Sequence, residues 1–425
     1  MVDTRVGIWF IGAKGGVAST AIVGLTALKK GLIGTEGLTT HLPNFQQLGL
    51  TDWGNFVVAG HEIRSVSLVD QARRMANDDH IAPVVLVEQC VEELRQIDGR
   101  IRPGTIHNVG PTIAALADDT MSRNEGVKRD SPIFAETKIG TVPRNETPRQ
   151  AIARLGQDMA TFAQAEKLAH VIVVNVASTE PPVDTSNLPP TWAELDKLLD
   201  DEQCPLPASS LYAIAALEAG YSYLNFTPSL GPALAAIDGL ARLRGTRYYG
   251  CDGKTGETLM KSVLAPMFAR RNLRVKSWVG HNIFGNMDGQ VLDDPVNKQA
   301  KVASKDHLVR EILGYRPKTL VSIEYVPDMG DWKTAWDHIH FAGFLGLPMT
   351  LQFTWQGCDS VLAAPLVLDL VRFTEFAWRR GHVGPMPFLA SFFKSPYGVS
   401  EHCFDRQYQM LEAWATEMSN RESLH

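Results

Sequence analysis

Apolar positions in the first half of the chain fall into two alternating patterns. Val6–Phe10 is a short unbroken apolar run and "HVIVVNVAS" (170–178) is built on the apolar core Val171–Val174; both read as strands buried on both faces, and "YSYLNFTPS" (221–229) reads as a strand with its loop. Between them, Thr20–Lys30, Ser65–Ala76, Gln150–Ala169, Ala208–Leu217 and Gly231–Arg244 predict helices with an apolar face. Strands alternating with helices predict a parallel sheet covered on both sides.

Near residue 245 the texture changes. "RYYGCDGKTGET" is rich in glycine and polar residues, and Leu259–Arg270 is helix-like. Val275–Val279, "TLVSIEYVP" (319–327) and "MTLQFTWQG" (349–357) are strand-like, with polar residues recurring at alternate positions in the last two. That alternation predicts a sheet with one open face, in an α+β segment. Helices return at Ala364–Arg380 and Phe404–Asn420. With 425 residues, two domains are expected.

Composition narrows the possibilities. The chain is 44% hydrophobic and 21% charged, an ordinary globular balance. A net charge of −6 argues against a general nucleic-acid or acidic-membrane surface. Cys90, Cys204, Cys251, Cys358 and Cys403 are far apart and form no CxxC pair, which predicts reduced thiols in a cytoplasmic chain without a zinc ribbon. "MVDTRVGIWF" does not read as a signal peptide, and no run of about 18 apolar residues predicts a membrane span.

The first candidate chemistry is "FIGAKGGVAST" (10–20). Lys14-Gly15-Gly16-Val17 begins like the phosphate loop KGGxGKT, but Ser19 stands where that loop's phosphate lysine belongs. A dinucleotide turn fits the context better. A strand runs into Gly12, a glycine pair follows, and a helix opening at Ser19/Thr20 would offer backbone N–H groups to a pyrophosphate. The strict GxGxxG spacing is not kept, because Lys14 and Val17 occupy its second and third glycine positions. By itself the stretch also reads as an ordinary glycine-rich βα turn.

Further along, Gly250, Gly253 and Gly256 allow a backbone to approach a ligand closely. Lys301 and Lys305 are four apart, so on a helix they would share one face and lower each other's pKa by repulsion. That suits a phosphate clamp or a lysine base, and a solvated basic face fits the same spacing.

These stretches resemble the myo-inositol-1-phosphate synthase family, the inositol-3-phosphate synthases. "CDGKTGETLMKSVL", "HNIFGNMDG" and "KVASK" follow the order of the family's "DDxKSGQTKxKSVL", "NHLGNNDG" and "SKEISK". "GDWKTAWD", "CDSVLAAPLVLDLVRFTEF" and "FFKSP" are similar to "GDSKxAMDEY", "EDSLLATPLIIDLxxxTEF" and "YWLKAP". Upstream, "GHEI", "VASTEP" and "YLNFTPS" resemble "GWDI", "TANTER" and "YINGSPQ". The likeness covers most of the chain and is densest from 250 to 400. Departures are Gly16-Val17 for an Asn pair, Cys251 for Asp, Leu259 for Lys, Met287 for Asn and Glu62 for Asp.

The resemblance implies an α/β fold: a Rossmann-type NAD-binding domain from 1–245 and 360–425, and an inserted α+β catalytic and tetramerisation domain at 246–359. It implies conversion of D-glucose 6-phosphate to 1D-myo-inositol 3-phosphate by oxidation at C5, enolisation, aldol closure and re-reduction. Lys301, Lys305, Lys333 and Lys394 fall on the family's active-site lysines. Gly12, Gly15, Gly16, Val17, Ala18, Glu62, Ser178, Asp252, Asn286, Asp288, Asp331, Asp359 and Ser360 would line the cofactor. Glu62 would keep a carboxylate for a ribose hydroxyl. Thr255, Gly256, Thr258, Asn282 and Gly285 would hold the substrate and its phosphate. A homotetramer is expected, and a monovalent or divalent cation beside NAD is left open. Three other readings remain: a related carbocyclase acting on a sugar phosphate such as fructose 6-phosphate, a non-catalytic NAD-binding sensor or scaffold, and the phosphate-loop ATPase weighed above.

Overall fold

The computed structural model describes residues 4–117, 141–286, 289 and 308–422. Its larger sheet contains β1 (Val6–Ile11), β2 (Phe56–Glu62), β3 (Ile101–Pro103), β4 (His170–Asn175), β5 (Ser222–Asn225) and β6 (Arg247–Gly250). The short strand at Gly384–Pro385 closes one edge. Every pairing in this sheet is parallel, and β3-β2-β1-β4-β5-β6 is the spatial order. The chain moves outward from β1 to β3 and then returns to β4 on the other side of β1. This reversal opens a crevice at the carboxyl ends of β1 and β4, where a doubly wound sheet binds its ligand.

The apolar run in β1 explains the two layers. Val6, Ile8 and Phe10 enter one core with α1 (Gly16–Lys29), while Trp9 and Ile11 enter the opposite core with α2 (Pro148–Ala165) and α3 (Ala208–Glu218). Successive strand residues point to opposite faces, so an unbroken apolar strand needs helices on both.

The smaller sheet contains β7 (Arg274–Phe284), β8 (Lys318–Tyr325), β9 (Trp332–Ala342) and β10 (Pro348–Cys358), in the order β10-β9-β7-β8. It is mixed, with β7 parallel to β8 and antiparallel to β9. One face is covered by α4 (Glu257–Arg270), whose Ala265 and Phe268 pack on Val275, Trp278 and Ile339. The other face carries exposed Trp336, Ile283 and Leu320. After β10 the chain re-enters the larger layer as α5 (Asp359–Arg379), packed along α1, and ends in α6 (Phe404–Glu422).

Two sequence expectations are corrected here. The first helix begins at Gly16 rather than Ser19/Thr20, because extended Gly15 serves as its N-cap and the second glycine lies inside the first turn. "RYYG" is β6 of the larger sheet, bonded to β5, so it does not open the inserted segment. Its tyrosines, Tyr248 and Tyr249, pack in opposite cores. Among the described residues, no helix is long and apolar enough to cross a membrane.

Candidate active site

The glycine turn lies at the carboxyl end of β1. Gly12 and Ala13 donate N–H bonds of 3.0 Å to the His61 carbonyl, and Gly15 N–H bonds the Gly12 carbonyl at 2.9 Å. Gly12 has φ +78°, and a Cβ there would lie 2.9 Å from Ala177 Cα, next to Ser178. Side chains are therefore excluded at the crossing of β1 and β4. A Cβ on Gly16 would meet Ser360 Oγ at 2.7 Å, so the starts of α1 and α5 approach closely. Val17 is half-buried and Ala18 fully buried in this first turn.

Lys14 points away from this crevice. Its ammonium is fully buried, 2.7 Å from Asp98 Oδ1, and donates to the Val66 carbonyl. Its N–H bonds Glu62 Oε2 at 2.9 Å. Glu62 Oε1 accepts from the N–H groups of Ile63 and Arg64 at 2.9 and 3.2 Å, and Arg64 pairs with Oε2 at 3.1 Å. Burial would raise the Glu62 pKa, but Arg64 and the Ile63 and Lys14 N–H groups hold it below the ordinary carboxylate range. With these donors in place, Glu62 ties the end of β2 to the glycine turn.

Residues 251–254 run antiparallel to 392–395. Lys394 N–H bonds the Asp252 carbonyl at 2.7 Å, and Lys254 N–H bonds the Phe392 carbonyl at 2.9 Å. This fixes Lys394 beside the glycine-rich segment, with Nζ 2.7 Å from Asp252 Oδ1. Thr255 Oγ1 contacts Asp359 Oδ1 at 3.4 Å. The neighbouring Ser360 N–H bonds Asp331 Oδ2 at 2.9 Å, and Asn286 Nδ2 bonds Asp331 Oδ1 at 3.1 Å. Cys358 also donates to Asp331 Oδ2. Burial raises the Asp331 pKa, and these donors offset part of the rise. Lys394 thus meets Asp252, while Thr255, three residues further on, meets Asp359 beside Ser360, which bonds Asp331 and through it joins Asn286, with Gly16 against Ser360.

The smaller sheet supplies the remaining groups. Asn282, Ala335 and Trp355 are in register across β7, β9 and β10, as are Phe284, Lys333 and Gly357. Lys333 Nζ lies 4.9 Å from the Phe284 ring centroid, a cation–π contact. Asn282 is fully buried with Oδ1 unpartnered. Gly285 N–H bonds the Gly330 carbonyl at 3.0 Å. Gly256 caps α4 and Thr258 is buried in its first turn. Lys301, Lys305 and Asp288 lie outside the described residues.

Two further titratable groups, Lys254 and Glu180, are perturbed by burial between distant segments and carry no local sequence signal. Lys254 is buried and donates to Gln407 Oε1; burial brings its pKa down to about 7, with Lys394 adding repulsion. Glu180 accepts from Ser209 N–H at 2.8 Å and from the Ser209 hydroxyl. Burial pushes its pKa up to about 7 despite these bonds. An unfolded glutamate titrates near about 4.3, so between that value and 7 only the folded state holds the proton. Stability should therefore fall as pH rises through that window, by on the order of 3 kcal/mol, and level off above it. Glu180→Gln should flatten this slope in denaturant midpoints measured from pH 5 to 8.

A sequence profile for NAD binding, described as myo-inositol-1-phosphate synthase, matches residues 6–416. The chain belongs to the myo-inositol-1-phosphate synthase family. NAD is the cofactor of this enzyme family, and the crevice suits it. Gly12 and Gly16 leave space where side chains would collide, and Ser19, in the first turn of α1, has a buried hydroxyl without a partner. The inositol-3-phosphate synthase 1 of Bacteroides thetaiotaomicron is 31% identical, covering 96% of this chain and 93% of that protein. The Saccharomyces cerevisiae inositol-3-phosphate synthase is 27% identical over 88% of this chain and 69% of its own. The fold matches the Caenorhabditis elegans inositol-3-phosphate synthase with TM-score 0.82 at 21% identity, over 98% of this chain and 86% of the other. Among the described residues, no cluster of three or more His, Cys, Asp or Glu side chains is placed to hold a metal ion.

Proposed function

We propose that the enzyme converts D-glucose 6-phosphate to 1D-myo-inositol 3-phosphate. The observation that carries this reading is the continuous set of contacts joining Lys394 and the glycine-rich segment to the start of α5, which lies against the glycine turn. NAD, when bound, supplies reversible hydride acceptance, so the overall conversion has no net redox change. Gly12, Gly15, Gly16, Val17, Ala18, Ser178 and Ser360 line its crevice in this reading, together with Asp252, Asn286, Asp331 and Asp359. Glu62 shapes the turn and faces the ribose end.

Thr255, Gly256, Thr258, Asn282 and Gly285 orient the open-chain sugar phosphate. Lys394 and Lys305 stabilise negative charge on the sugar oxygens during enolisation and ring closure. Lys301 shuttles the proton at the C5 hydroxyl, and Lys333 holds the phosphate or aldehyde end. The NAD-binding unit is assigned to 1–245 and 360–425 and the catalytic unit to 246–359, with β6 returned to the former. A homotetramer assembled through the exposed face of the smaller sheet, where His281 stacks on Trp336, completes the proposal.

Incubation of the purified protein with NAD and glucose 6-phosphate should yield inositol phosphate, identified by NMR, without net accumulation of NADH. Fructose 6-phosphate, tested in parallel, should give no carbocycle. Formation of a five-membered ring from it, with glucose 6-phosphate inert, would replace this assignment.

A further inference from the structure

We infer that Trp355 is a substrate-phosphate ligand, donating its indole N–H to a phosphate oxygen at the start of α4. Trp355 projects from β10 onto the covered face of the smaller sheet, in register with Ala335 and Asn282. Its Nε1 is buried and has no acceptor. A Cβ at Gly256 would lie 3.2 Å from that nitrogen, and one at Gly357 would lie 3.6 Å from it. The indole N–H therefore sits at the first residue before α4, between two positions that carry no side chain.

That helix has 14 residues, and its N-cap Gly256 makes no side-chain capping bond. Its first N–H groups have no intrahelical acceptors, and the helix start favours an anion. Asn282 provides a second, independent indication of a ligand. It is fully buried, and its Oδ1 lacks a donor. The same face thus offers unsatisfied donors at the α4 start and an unsatisfied acceptor on β7. A sugar phosphate satisfies both, with phosphate oxygens toward Trp355, Thr255 and Thr258 and a hydroxyl toward Asn282.

Charge points the same way. Glu257 does not aim its carboxylate at the anion, because Oε1 lies 2.6 Å from Lys261 Nζ on the next turn. Position 259 is leucine in this chain, so no ammonium comes from there. A neutral donor fixed by packing, as in Trp355, supplies a bond at no cost in further buried charge.

The assignment rests on the sugar-phosphate reading for its substrate, but phosphate binding can be measured separately. Calorimetry on NAD-loaded protein, with glucose 6-phosphate and with inorganic phosphate as probes, should compare wild type, Trp355→Phe and the sulfur isostere benzothienylalanine at 355. The isostere keeps the ring shape and removes only the N–H. Both variants should weaken both probes roughly ten- to hundredfold, the range for losing a bond to a charged group. NAD affinity should stay at the wild-type value. Wild-type affinity for both probes in the isostere overturns the assignment, whether or not the enzyme turns over glucose 6-phosphate. If phosphate binding depends on the indole N–H but glucose 6-phosphate is not converted, the phosphate site stands and the proposed reaction fails.

Discussion

Lys394→Ala should lower kcat with glucose 6-phosphate by about a thousandfold, the scale at which proton-transfer and oxyanion-stabilising groups act. The structure makes this a test of the ammonium rather than of the loop. Lys394 is held by its own backbone bond to Asp252, and Ser395 and Cys251 are bonded reciprocally beside it. None of these bonds uses the lysine side chain. Removing Nζ deprives Asp252 of a partner 2.7 Å away, at a site where the lysine side chain is 16% exposed. A modest fall in melting temperature is expected with NAD affinity retained. Lys394→Arg separates two roles: a guanidinium keeps the charge but does not exchange a proton near neutral pH. Recovery of most activity in the arginine variant would assign Lys394 to charge stabilisation, and failure to recover would assign it to proton transfer. Activity within tenfold of wild type in the folded alanine variant would remove Lys394 from the chemistry.

Much of the fold was legible because burial on both faces leaves a strong mark. β1 is apolar throughout and β4 carries four consecutive apolar residues, Val171–Val174, a length that fits a strand buried on both faces. β6 was not legible: "RYYG" is short and polar in appearance, and its tyrosines divide between two cores that only the assembled sheet defines. A glycine pair reads as loop and so puts the start of α1 three residues late, whereas Gly16 lies inside the helix against Ser360, which is 344 positions away in sequence and adjacent in space. The site shows the same division. Lys394 and the glycine-rich segment came from local motifs. Trp355 carried a weaker signal, the alternation of Leu351, Phe353 and Trp355 on the covered face of β10. That pattern reads as ordinary sheet packing until its nitrogen is found buried beside Gly256. Lys254 and Glu180 are set by burial between distant segments, which no local spacing encodes.

Lys14→Met should destabilise the protein by about 3–5 kcal/mol, the usual consequence of removing one partner of a buried ion pair. Lys14 belongs to the glycine turn itself, and a role on the coenzyme phosphates would make the opposite forecast. A phosphate lysine would be dispensable for folding and needed for nucleotide affinity. The observed side chain is completely buried, bridges Asp98 and the Val66 carbonyl, and joins the glycine turn to the segments that flank the next helix of the layer. Methionine fills similar volume, so packing changes little and the electrostatic part dominates. Denaturant midpoints and thermal melts should shift strongly both with and without NAD. Adding Asp98→Leu should recover part of the loss, because a buried carboxylate without its ammonium costs more than an apolar pair in the same space. The Leu68 N–H, which bonds Asp98 Oδ2 at 3.3 Å, sets a limit on that recovery. Unchanged melting together with lost NAD binding would instead place the Lys14 ammonium on the coenzyme, and the buried ion pair would have to open when NAD binds.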